Sequence, residues 1–170
     1  MYAIDDLDIV KELTDLPQSS VGAPCPMILC SGHSLHLAYY LQKDMSDWDG
    51  RTPRMVGINS EDEECALVKF TGVISHMFGM PNDEAFMGHP LSSRGLQPYS
   101  VFEVENSSWL RKLERMNSVH RAHRPEHYMN RRHLIFAFHD STFECIVKEF
   151  DLTLHKGSVL KVLLESPPKY

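Results

Sequence analysis

His139 and Glu144 are the residues whose types and spacing best suit chemistry, because they flank a turn signal inside an alternating apolar segment. From His133 to Phe150 the chain reads as a β-hairpin with Asp140-Ser141 as a two-residue turn. Leu134 then faces Val147, Phe136 faces Cys145 and Phe138 faces Phe143, an apolar set on one face. The other face holds His133 with Lys148, Ile135 with Ile146, Ala137 with Glu144 and His139 with Thr142, so His139 and Glu144 are diagonal neighbours. A carboxylate beside an imidazole orients the ring and raises its basicity, which suits proton transfer or metal binding. Ser141-Thr142-Phe143-Glu144 also matches a helix capping box, with Phe143, Ile146, Val147 and Phe150 as a helical stripe. Aromatic and β-branched enrichment favours the hairpin.

Other candidates lie at a distance in sequence. His89 and Arg94 belong to a long stretch, 81–99, without a regular period, and ordered loops of that length are often functional. Residues 111–132 carry Arg111, Lys112, Arg115, Arg121, Arg124, Arg131 and Arg132 against Glu114 and Glu126, a net of five positive charges. Arg94, Arg115, His120, Arg121, His123, Arg124 and Asp140 are therefore the candidate binding residues, for an anion attracted by that excess. If the long loop reaches the hairpin, His89 and His139 share a polar pocket, Glu144 orients the base and Arg94 holds a substrate anion. His120, His123 and His127 would share a face of an unbroken helix, but Pro125 interrupts it, and no metal-ligand set is assigned. There is no G-x-S-x-G elbow, P-loop, dinucleotide fingerprint or H-E-x-x-H.

The elements that must position these groups follow from the pattern. Residues 5–14 read as a short amphipathic helix on Ile9, Val10 and Leu13, and 17–24 as a Pro/Ser/Gly linker. The segment 1–24 is thus an N-terminal arm and linker, and 25–170 a single domain. Whether the arm docks on its own domain or on a second subunit is open, which leaves a homodimer open too. Strands are expected at 27–30, 33–41, 54–58, 65–70, 73–77 and 101–104, with loop at 43–53 and a bulge at Gly72. Asn82 caps a helical turn or two through Met87. Ser107 caps the main helix, 107–119, whose stripe is Trp109, Leu113, Met116 and His120, and Pro125 opens a short helix. The fold class is α+β: an antiparallel twisted sheet or partial barrel covered by one main helix with short flanking helices.

The segments Pro81-Asn82-Asp83-Glu84-Ala85, Gly88-His89-Pro90-Leu91, Asn106-Ser107-Ser108-Trp109 and Phe138-His139-Asp140-Ser141-Thr142-Phe143-Glu144-Cys145 resemble a widespread bacterial protein family without an established activity. The likeness covers about half of the chain. It implies a bacterial-type cytoplasmic protein, brings no mechanism, and draws weight to His89 and the 139–144 turn. Composition agrees with a globular domain in a reducing compartment: 42% hydrophobic, four cysteines without a CxxC pair, and no apolar run long enough to span a bilayer. A net charge of −6 disfavours nucleic acid as a partner of the whole surface. Cofactors are not specified by any motif. The sequence reading is a binding or regulatory domain for an anionic small molecule or a protein partner. The alternative is an enzyme using His139, Glu144 and His89 for acid–base or metal-assisted chemistry.

Overall fold

Alternation of apolar side chains builds two antiparallel sheets that pack face to face. The structure, a computed structural model, describes residues 2–32, 34–43 and 55–167. The strands are β1 (Ile9–Glu12), β2 (Met27–Ser31), β3 (Ser34–Tyr40), β4 (Glu64–Thr71), β5 (Ser75–Gly79), β6 (Val101–Glu105), β7 (Arg132–Ala137), β8 (Thr142–Val147) and β9 (Glu149–Lys156). One sheet has the order β1-β6-β7-β8-β5 and the other β2-β3-β4-β9. Helices are α1 (Ser108–Asn117), α2 (Glu126–Met129) and α3 (Val159–Glu165), with single 3-10 turns at Phe86–Gly88 and Ser92–Arg94. The expected α+β antiparallel class holds, with α1 as the main helix. No described helix is long and apolar enough to cross a membrane.

Period-two alternation sorts each central strand between two cores. Leu134, Phe136, Phe143, Cys145 and Val147 of the first sheet meet Leu35, Leu37, Tyr39, Val68 and Phe70 of the second. Phe136 is fully buried and touches the rings of Tyr39, Phe70 and Phe143. On the outer face of the first sheet, Phe102, Val104, Ile135, Ala137 and Ile146 are covered by Trp109 of α1, by Phe86, Leu91 and Leu96 of the long loop, and by Tyr2. On the outer face of the second, Ala38, Tyr40 and Leu67 are covered by Val159, Val162 and Leu163 of α3.

The hairpin forms, shifted by two residues from the expected register. Leu134 pairs with Cys145, Ile135 with Glu144, Phe136 with Phe143 and Ala137 with Thr142. The turn is His139-Asp140, closed by the bond from the N–H of Phe138 to the carbonyl of Ser141. A shift of two keeps every side chain on its expected face, so the apolar set is unchanged while the polar neighbours are not. Glu144 now lies opposite Ile135.

Other expectations need correction. Residues 5–14 do not form a helix; Ile9–Glu12 is an edge strand paired with β6, with Val10 facing the outer core and Ile9 exposed. β-branched Ile9 and Val10 suit that edge, and the arm docks on its own chain. Residues 55–58 are not a strand, because the reciprocal bonds between Gly57 and Ser60 fold them into a turn. Arg54, His33 and most of the expected loop 43–53 lie outside the described residues. The main helix stops at Asn117, which leaves Met116 exposed and His120 off its stripe. Strand β9 and α3 carried no expectation. Cys65 and Cys145 are buried, whereas Cys30 is exposed.

Replacing Phe136 by alanine should cost about 3–5 kcal/mol in a urea-unfolding titration, because the ring is removed from the contact between the sheets. A loss below about 1 kcal/mol would place it outside the core.

Candidate functional site

On the outer face of the first sheet, β8 places a carboxylate where its neighbours Ile146 and Ile135 are apolar. Glu144 is almost fully buried. Its Oε1 accepts from His89 Nε2 at 3.0 Å, and its Oε2 accepts from His133 Nε2 at 3.0 Å and from the Tyr2 hydroxyl at 2.8 Å. The three donors come from the long loop, from β7 and from the arm. Their far sides are held as well. The N–H of Leu91 donates to His89 Nδ1 at 3.1 Å, so that nitrogen is unprotonated and Nε2 carries the hydrogen given to Glu144. His133 Nδ1 lies 2.9 Å from Ser107 Oγ, which caps α1 by accepting the N–H of Leu110. Trp109 closes the cluster, stacked on Tyr2 at 5.4 Å and edge-on to His133 at 5.1 Å.

Burial by itself would raise the carboxyl pKa of Glu144. The hydrogen bonds from His133 and His89, with the electrostatic attraction of the two rings, more than reverse this and bring it down to about 2. The Tyr2 phenol moves the opposite way, far up, through its burial and then through the negative charge it faces. The imidazoles of His89 and His133 are wholly shielded from solvent. This cluster is a closed tie between segments. Two histidines and a glutamate would suit a metal by type, but His89 directs an N–H, not a lone pair, at the shared point. Among the described residues no group of three or more His, Cys, Asp or Glu is disposed to hold a metal ion.

His139 sits apart, in the turn, with about two-fifths of its side chain exposed. It pairs with Asp83 and Tyr99, not with Glu144: Nδ1 is 2.8 Å from Asp83 Oδ2, and the Tyr99 hydroxyl donates to that same oxygen. The backbone fixes this arrangement. The N–H of Asp83 donates to the carbonyl of His139 at 2.9 Å, and Thr142 Oγ1 donates to the carbonyl of Pro81 at 2.7 Å. Asn82 caps the following turn by accepting from the N–H of Ala85. Asp83 is held below its ordinary carboxyl range, first by the Tyr99 hydrogen bond, against some desolvation, with His139 adding to the effect. The same bond pushes Tyr99 up to about 12. His89 is sealed and His139 is open, so the two rings do not open onto one cavity. Sequence reading missed Asp83, Tyr99, Tyr2 and His133 as partners. The four resemblance segments do meet, however: His89, Ser107, Trp109 and Glu144 in the closed cluster, Asp83 and His139 in the open one.

The basic window is partly spent inside the protein. Arg111 binds the carboxylate of Asp5 and the carbonyl of Asn106. Arg132 forks onto Glu103 at 3.0 and 2.7 Å. Outside the window, Arg94 holds the arm through the carbonyls of Asp5 and Asp8, which removes it from any substrate role at His139. Asp8 in turn accepts from the N–H of Ser108 at 2.6 Å, a second cap on α1. His123 bonds Glu114 and Asn117, and His120 accepts from the N–H of Ala122. His120 and His123 lie in the connection between α1 and α2 and His127 lies in α2, so the three do not share a helix. Arg115, Arg121, Arg124 and Asp140 are exposed. Arg115 and Lys112 line a shallow recess against the arm.

No family model, curated protein or solved structure matches this chain.

Because the folded-state pKa of Glu144 is depressed, its contribution to stability is complete above its ordinary value of 4.5 and is lost as pH falls toward about 2. Urea midpoints taken across that window should fall faster for wild type than for Glu144→Gln, which should start about 3–5 kcal/mol less stable. Parallel curves would show that Glu144 is not held ionised.

Proposed function

We propose that the domain binds a small organic anion in the cleft between α1, α2 and the end of β6, with Arg131 as its anchor. The supporting observation is a guanidinium fixed in place without a carboxylate partner among the described residues. Arg131 Nε donates to the carbonyl of His127 at 2.9 Å and Nη1 to that of Gly72 at 3.0 Å. Neutral carbonyls orient the fork but leave its charge uncompensated, and Nη2 remains available to a ligand. The backbone at Gly72 has φ +60°, and a Cβ there would lie 2.3 Å from Arg131 Nη1 and 2.8 Å from Lys148 Cβ. Glycine at this position thus serves both the left-handed backbone and the seat of the guanidinium.

The cleft encloses about 530 Å³, the scale of a small-molecule site, with Leu110, Tyr128 and Met129 among its lining. Glu103, Glu105 and Glu114 also face it, and they pair with Arg132, Lys11 and His123 respectively. With Arg111 already paired to Asp5, Arg131 offers a single uncompensated charge to the cleft, which suits a singly charged anion. The ligand class is a monoanion whose other end is uncharged or cationic, of which amino acids are the simplest members.

Calorimetric titration at low salt with amino acids, and with inorganic phosphate as the multiply charged control, tests this reading. Amino-acid binding should weaken about 10- to 100-fold in Arg131→Gln, the worth of a hydrogen bond to a charged group. Gly72→Ala should weaken it too, without removing any charge. Binding unchanged by both substitutions, or no amino acid bound by wild type, would refute the assignment.

A further inference from the structure

The open cluster in the β7–β8 turn supports a second activity, independent of the Arg131 cleft. We propose that His139 is a proton-transfer residue for an uncharged or cationic substrate, with Asp83 and Tyr99 as its positioning residues.

The hydrogen-bond geometry decides which nitrogen is free. Asp83 Oδ2 accepts, so the imidazole nitrogen 2.8 Å from it must carry a hydrogen; a lone pair there would face a carboxylate. Nδ1 is therefore N–H, with Tyr99 Oη as a secondary neighbour at 3.2 Å. In the neutral ring the lone pair is then on Nε2. The nearest acidic atom recorded for Nε2 is Asp140 Oδ1 at 3.8 Å, beyond hydrogen-bond distance, and no described residue bonds to it. A lone pair on an oriented, half-exposed imidazole, backed by a carboxylate on the other nitrogen, is the arrangement a general base requires.

The orientation is not a surface accident. Asp83 is bound to residue 139 through its backbone N–H as well as its side chain, and its Oδ1 is occupied by the N–H of Glu84. Tyr99, backbone φ +64°, stacks on the imidazole with ring centroids 6.3 Å apart. The same tyrosine lines a neighbouring cleft of about 350 Å³ with Glu12, Thr14, Gln18 and Ser100; His139 itself is not part of that lining.

Charge sets the substrate class. Among the described residues, the charged groups nearest the ring are both carboxylates, Asp83 and Asp140. At these separations salt screens little, so an anion approaching Nε2 is repelled. A neutral or cationic donor is not, and Asp140 can accept a second hydrogen bond from it. In the step, Nε2 takes a proton from an O–H or N–H of the substrate or from a water beside it, and the bonding pair stays on that atom. The imidazolium so formed is stabilised by Asp83 and returns the proton to the product, so no oxidant or reductant is needed.

The test uses the full chain and p-nitrophenyl acetate, a neutral ester. Nε2 would take a proton from water, the oxygen would attack the carbonyl, and the bond to p-nitrophenolate would break, giving acetate and p-nitrophenolate. Wild type should exceed His139→Gln at least tenfold, within the range of general-base assistance, and should not hydrolyse the anionic p-nitrophenyl phosphate. Nitrogen-15 spectra of the imidazole should report the Nδ1–H tautomer in wild type and a mixed population in Asp83→Asn, with a slower rate and unchanged circular dichroism. Equal rates for wild type and His139→Gln, or an Nε2–H tautomer in wild type, would overturn the proposal whatever happens at Arg131.

Discussion

A carboxylate buried in the outer core of the first sheet is the constraint on which the arrangement of this protein depends. Glu144 is flanked by Phe143 and Cys145, which face the opposite core, and on its own face it lies among Ile135, Ala137 and Ile146. An unpaired charge there would cost several kcal/mol. The chain meets that demand with three donors from segments far apart in sequence, Tyr2, His89 and His133. Each donor brings its own element with it. Tyr2 carries the arm, His89 the loop with Phe86 and Leu91, and His133 the cap of α1 through Ser107. The loop and the arm have little regular structure of their own, so their placement over the sheet rests on this polar tie and on the apolar residues packed around it.

The same hairpin serves two ends. Within β8, Glu144 faces a closed cluster; in the turn before β8, His139 faces outward and is held by Asp83. What separates them is burial, and burial decides what each can do. A carboxylate and imidazoles wholly screened from solvent hold segments together. An imidazole with one nitrogen fixed and the other open can exchange a proton with a ligand. The Arg131 cleft adds a third kind of polar placement, a cation oriented by carbonyls and by the absence of a side chain at Gly72.

Much of the fold was legible in the sequence. Phe136, Phe143 and Cys145 announced a buried hairpin face, and Ser107 announced the start of α1. A register error of two residues did no harm to that face, because side-chain direction depends only on parity. It misassigned the partner of Glu144, which depends on the register itself. His89 drew attention by its place in a long ordered loop, and the structure uses it as a buried tie to Glu144. Its partner was not legible, because no local spacing links it to Glu144. Asp83 and Tyr99 were illegible for the same reason. Strand β9 and α3 had local signals, the alternation Phe150, Leu152, Leu154 and the cap Ser158 before an apolar run. Ile9 and Val10 fitted either a helix or an edge strand, and only pairing with β6 separated the two.

If Glu144 ties the arm, the loop and α1 into one unit, amide hydrogen exchange will show it most directly. Leu91, Ser108 and Leu110 donate to His89, Asp8 and Ser107 respectively. In Glu144→Gln these three amides should lose protection together and by similar factors, while Leu37 and Val68 in the second sheet keep theirs. Loss at one of them alone, or at none, would contradict a shared dependence on the buried carboxylate.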